Sequence, residues 1–155
     1  MTDRSMQSLL AGRSSSELTE RMVRSVGSTF SGLDHTVVYQ YDPDGSTRFV
    51  VEVDEDGEEF GMVYFGKDIY PGNSVLDPNS ALSMKAAVGH EISHCHRWRD
   101  QTELPMNVHR DLDEALTSLD AALRFTTTLS PHEIQQLIRD ATQRLQMHFA
   151  KVEIL

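Results

Sequence analysis

Twice along the chain the spacing of apolar residues changes period, and that change constrains the fold more than any other feature. Leu18, Met22, Val23, Val26 and Phe30 recur at helical spacing. Between residues 36 and 70 the pattern turns extended. Val37-Val38-Tyr39-Gln40-Tyr41, Arg48-Phe49-Val50-Val51-Glu52-Val53 and Phe60-Gly61-Met62-Val63-Tyr64-Phe65 are dense in β-branched and aromatic residues, which suit a pleated, half-buried surface. Helical spacing then returns and holds to about residue 150. Helix, then strands, then helices is the order of an α+β domain rather than of alternating βα units.

Local signals place the boundaries. Ser14-Ser15-Ser16-Glu17 has the spacing of a capping box and predicts a first helix from there to about residue 31. Asp42-Pro43-Asp44-Gly45 and Asp54-Glu55-Asp56-Gly57 both end in Asp-Gly, a pair favoured in tight hairpins. An antiparallel meander of three strands is therefore expected, with Lys67-Asp68-Ile69-Tyr70 extending it or adding a fourth. Neither acidic loop has the twelve-residue calcium-ligand pattern, so both read as turns. Asp77-Pro78 reads as an N-cap with proline at the first helical position and predicts a helix over 78–99. A loop at Glu103-Leu104-Pro105 precedes a helix over 109–128. Ser130-Pro131-His132-Glu133, a capping box with proline in the first turn, opens a last helix over 131–150.

The 155 residues suit a single domain, 1–155, around one core, with residues 1–13 frayed. Net charge is −10, which repels phosphate backbones and anionic lipid, so neither nucleic acid nor membrane is expected as a partner. Residues 1–17 lack the apolar segment of a secretory signal, and the lone Cys95 cannot form an internal disulfide. A cytoplasmic location is expected, with a secreted effector as the second reading.

Gly89-His90-Glu91-Ile92-Ser93-His94-Cys95-His96 carries the chemistry. Four residues along a helix advance roughly 6 Å and return to within about 40° of the same direction. Two imidazoles so spaced can hold one metal ion, and Glu91 beside the first reaches a water at that ion without ligating it. On a helical wheel His90, His94, Ala87, Trp98, Glu91, Met84, Cys95, Val88 and Ile92 share one arc of roughly 200°, with Lys85, His96, Ser93 and Arg97 opposite. An ionised Glu91 among apolar residues is costly unless a cation compensates it. Candidates for a third ligand are Asp111, Asp113 and Glu114. Leu112, Leu116, Leu119 and Leu123 read as the core stripe of their helix, and Asp113, Thr117, Asp120 and Arg124 as its solvent face. Glu114 shares a flank with Ser118, Ala121 and Phe125, where small residues permit close helix approach, and is the best-placed carboxylate.

His90-Glu91-x-x-His94, followed twenty residues after the second histidine by Glu114-Ala115-Leu116-Thr117-Ser118, resembles the gluzincin branch of the HExxH metallopeptidases. The resemblance implies a minimal zincin-like domain. One zinc per chain would be held by His90, His94 and Glu114, and a strand would border the cleft and pair with an extended substrate. It also implies an endopeptidase with Glu91 as general base, acting on a protein or peptide substrate. Narrow specificity is expected of such a small intracellular peptidase. Two departures stand out: His96 replaces a usual hydrophobic residue, and Ser118 stands where an acid often follows the third ligand. The longer metzincin pattern is absent, since Arg97 and Asp100 occupy its glycine and third-histidine positions. Cys95 points about 100° away from His94 and reads as a buried thiol. His109, Tyr64 and Tyr70 are candidates to stabilise an oxyanion; His96 reads as solvent-facing, and His148 as an ordinary histidine. The rival class is a zinc-binding adaptor whose fourth position is closed by His96, Cys95 or His109, or a module inactive until a partner completes it.

Overall fold

The computed structural model describes residues 14–71 and 82–154. The predicted cap at Asp77-Pro78 lies outside them. The described residues form four α-helices and a three-stranded sheet, an α+β arrangement.

Helix α1 spans Glu20–Leu33, and Thr19 caps it by accepting the Met22 N–H at 3.1 Å. It opens five residues later than the serine-rich signal predicts. Leu18 is buried just before the cap, and Val23 packs on the same core, the positions of a hydrophobic staple. Ser14 instead donates its N–H to the Tyr70 carbonyl at 2.8 Å. Burial of Leu18 therefore outweighs the capping potential of the serines.

Strands β1 (Val38–Tyr41), β2 (Arg48–Val53) and β3 (Glu59–Phe65) are ordered β1-β3-β2. The sheet is mixed, which corrects the expected antiparallel meander: β1 runs parallel to β3, and β2 antiparallel to it. Only the second Asp-Gly turn closes a hairpin, with Gly57 at φ +81°. The first carries the chain across the end of β3. Asp42 donates its N–H to the Phe65 carbonyl at 2.9 Å, and Asp68 accepts the Thr47 N–H and hydroxyl at 2.9 and 2.7 Å. A Cβ on Gly66 would lie 2.0 Å from the Gly45 carbonyl oxygen, so the crossing needs glycine. The gain is aromatic packing. With β1 beside β3, Tyr39 stacks on Phe30 of α1 at 4.8 Å, and Tyr41 on Phe65 at 5.2 Å. Lys67–Ile69 form a 3₁₀ turn with Ile69 fully buried, rather than a fourth strand.

Helix α2 spans Met84–Arg99 and starts six residues after the predicted boundary, capped by Ser83, which accepts the Ala86 N–H at 3.0 Å. It lies between α1 and the sheet on one side and two further helices on the other, α3 (Met106–Arg124) and α4 (Pro131–Ile154). Eleven of its sixteen residues are buried as a result. A helix enclosed this way has no solvent face, so Ser93 and Arg97, predicted outside, lie inside. His96 is also half-covered, paired with Asp34 at the end of α1. In α3 the predicted faces are partly exchanged, while Arg124 is exposed as expected. Asp113 and Thr117 are fully buried, whereas Leu116 is 37% and Leu123 79% exposed. The Ser130–Glu133 box that opens α4 forms as predicted, each residue bonding the other's backbone N–H, at 3.1 and 3.2 Å. Among the described residues no helix is long and apolar enough to cross a membrane.

Candidate metal centre

Two turns of α2 and one of α3 bring together the three predicted ligands. His90 Nε2 lies 2.8 Å and His94 Nε2 2.9 Å from the same Glu114 Oε2. One donor atom from each residue falls within 4.8 Å of the others, and all three side chains are largely covered. The two rings meet edge to face at 4.8 Å. Asp111 and Asp113, the other carboxylates of the acidic run, face elsewhere, toward Lys151 and Arg97.

The distal ring nitrogens are held by neighbouring α3 hydroxyls. His90 Nδ1 lies 2.8 Å from Ser118 Oγ, whose hydroxyl donates to Asp140 of α4. His94 Nδ1 lies 3.4 Å from Thr117 Oγ1, which donates to the Asp113 carbonyl and accepts from Arg97 at 2.7 Å. Each hydroxyl has spent its proton, so each Nδ1 is a donor. Each Nε2 then meets a carboxylate oxygen at hydrogen-bond distance, an approach that a shared proton bridges in the metal-free chain. A divalent metal ion can take the place of that proton. The group can therefore hold a metal ion. No match to this chain is found among known protein families, curated proteins or solved structures.

Electrostatics agree with the geometry. Burial pushes the Glu114 carboxyl up, but the charge and hydrogen bonds of His94 and His90 outweigh it and hold the group well below its ordinary value. Glu91 is different. Its Oε2 is buried with no hydrogen-bond partner among the described residues. Burial raises its pKa to about 7, opposed by His94 and reinforced by Glu114.

Glu91, His94 and Glu114 open into a cleft of about 380 Å³ whose opposite wall is Ser46–Val51. Among the described residues strand β2 pairs only with β3, and residues of β2 line this cleft. Phe49 lies parallel to the His94 ring at 6.3 Å. Arg48, Glu103 and Arg110 complete the charged lining.

The remaining predicted candidates lie away from the ligand group. Cys95 is buried with its Sγ against Gly61 of the sheet, and His96 pairs with Asp34. His109, at the kink in α3, stands 6.1 Å from the His148 ring, beside a separate surface pocket. Tyr64 donates to Glu52, and Tyr70 to the Met22 carbonyl. Sequence reasoning missed Asp140, Arg144 and the buried Arg97–Asp113 pair, joined at 2.8 Å. A signal existed for the first two: Asp140 and Arg144 are one turn apart, flanked on α4 by the buried Leu137 and Ala141.

Proposed function

We propose that the protein is a zinc-dependent peptidase of the HExxH zincin type. The observation that carries this reading is the buried oxygen of Glu91, unpartnered among the described residues, beside three converged donors in a cleft lined by strand β2. A two-histidine, one-glutamate set suits zinc and leaves a position for water. His90, His94 and Glu114 would hold the zinc, and the chemistry it would supply is a more acidic water and a polarised carbonyl group.

The chain does the rest. Glu91 takes the proton of the attacking water and hands it to the leaving amine nitrogen. The edge of β2 aligns an extended peptide through backbone hydrogen bonds, as added strands are bound in general. Arg48 and Arg110 place positive charge along the lining. The substrates we propose are one or a few proteins that present an extended segment to this cleft.

The adaptor reading needs a fourth donor to close the metal site. Cys95 packs against Gly61, His96 pairs with Asp34 and His109 stands beside His148, all away from the ligand group, which favours the hydrolase. Metal analysis of protein purified without added zinc tests the site: one equivalent is expected in the wild type and none in His94→Ala. Glu91→Gln should keep the metal and lose about 10²–10⁴-fold in peptide hydrolysis. Equal turnover by Glu91→Gln and wild type would refute the role of Glu91.

A further inference from the structure

Ser118 sits one turn after Glu114 on α3 and is fully buried, as is nearly all of Asp140 on α4. A serine hydroxyl alone cannot choose the tautomer of the histidine beside it, because it can rotate to donate or to accept. Asp140 removes that freedom. The Ser118 hydroxyl donates to Asp140 Oδ2, a charge-assisted bond stronger than one to a neutral imidazole nitrogen. Its lone pairs are left for the Nδ1–H of His90, 2.8 Å away. The carboxylate is held in turn by Arg144, whose Nε donates to the same Oδ2 at 2.7 Å. Arg144 Nη1 also lies 3.6 Å from Glu114 Oε2.

We propose that Asp140 is a positioning residue for His90, acting through Ser118 to hold Nδ1 protonated and to aim the Nε2 lone pair at the metal position. The carboxylate that orients this ligand thus comes from α4, whereas both histidines lie on α2 and Glu114 on α3. Docking of α4 and metal affinity are coupled through this chain. Among the described residues the Nδ1 of His94 has no such link to α4. Its partner Thr117 is set by Arg97 and by the Asp113 carbonyl. The proposal rests on the reading of His90, His94 and Glu114 as a metal centre, and is independent of whether that centre hydrolyses peptides.

Zinc affinity of the full chain, measured by competition with a chromophoric chelator, tests it. Ser118→Ala and Asp140→Asn should each weaken zinc binding by about 10–100-fold, the usual effect of removing an outer partner of a ligating histidine. The double variant should be no worse than either single one, because both break the same chain. Ser118→Thr, which keeps the hydroxyl, should bind as wild type does. Unchanged affinity in a folded Asp140→Asn, or losses that multiply in the double variant, would overturn the proposal. If Asp140→Asn does not fold, Ser118→Ala leaves the Asp140–Arg144 pair intact and decides alone.

A second readout needs no metal. Long-range proton–nitrogen spectra of the zinc-free protein should show a slowly exchanging Nδ1–H on His90 that disappears in Ser118→Ala. If the wild type takes up no zinc, the peptidase reading falls, and this resonance still decides whether the relay exists. Its absence from the wild type refutes the relay.

Discussion

Glu91→Gln, made in the metal-free protein, converts an orphaned carboxylate into a measurable stability difference. Burial raises the Glu91 pKa from 4.5 to about 7, so between those values the folded chain binds a proton that the unfolded chain has released. Stability from this group is therefore full below the unfolded value and declines as pH rises through the folded one. A difference of about 2.5 pH units, at about 1.36 kcal/mol per unit, amounts to about 3 kcal/mol. Glutamine has the same shape and does not titrate. Its amide adds an offset of about 1 kcal/mol that is constant with pH. Urea unfolding with chelator present, from about pH 5 to about pH 8, should show the wild type losing ground to Glu91→Gln. The pH-dependent part grows from about 1 to about 3 kcal/mol across that range. Added zinc should shrink the difference, because a nearby dication favours the carboxylate. A wild-type–variant difference that stays constant with pH would refute the assignment of a buried, uncompensated Glu91.

Three further outcomes follow from the packing. Leu123→Ser should change stability by no more than about 0.5 kcal/mol in urea unfolding, because Leu123 is 79% exposed, although its spacing places it in a core stripe. Asp113→Ala should cost about 3–5 kcal/mol by the same measurement, since it strands a buried Arg97; Arg97→Met with Asp113→Leu should recover part of that loss. Gly66→Ala should lower the melting temperature by an amount corresponding to at least about 1–3 kcal/mol, because the added carbon meets the Gly45 carbonyl. Melting at the wild-type temperature would mean that the crossing of the two loops is not tight.

What sequence alone determined was local. The α+β order, the hairpin at Asp54–Gly57 and the capping box at Ser130–Glu133 all depend on neighbours a few residues apart. So does the pairing of His90 with His94, a consequence of helical pitch. Glu114 was legible for a related reason: small residues beside it mark where α3 comes close to a neighbour. Tertiary structure decided which way the remaining residues face. A helical wheel assumes that polar residues seek water, and α3 breaks that assumption because Asp113 and Thr117 find Arg97 and His94 inside. Buried polar groups are stable only when partnered, and those partners lie twenty or more residues away or on another helix, as Asp140 does for Ser118. The mixed sheet has the same origin. Asp42-Pro43-Asp44-Gly45 is locally competent to close a hairpin, yet the chain crosses β3 there because Tyr39 and Phe65 pack on Phe30 only with β1 beside β3.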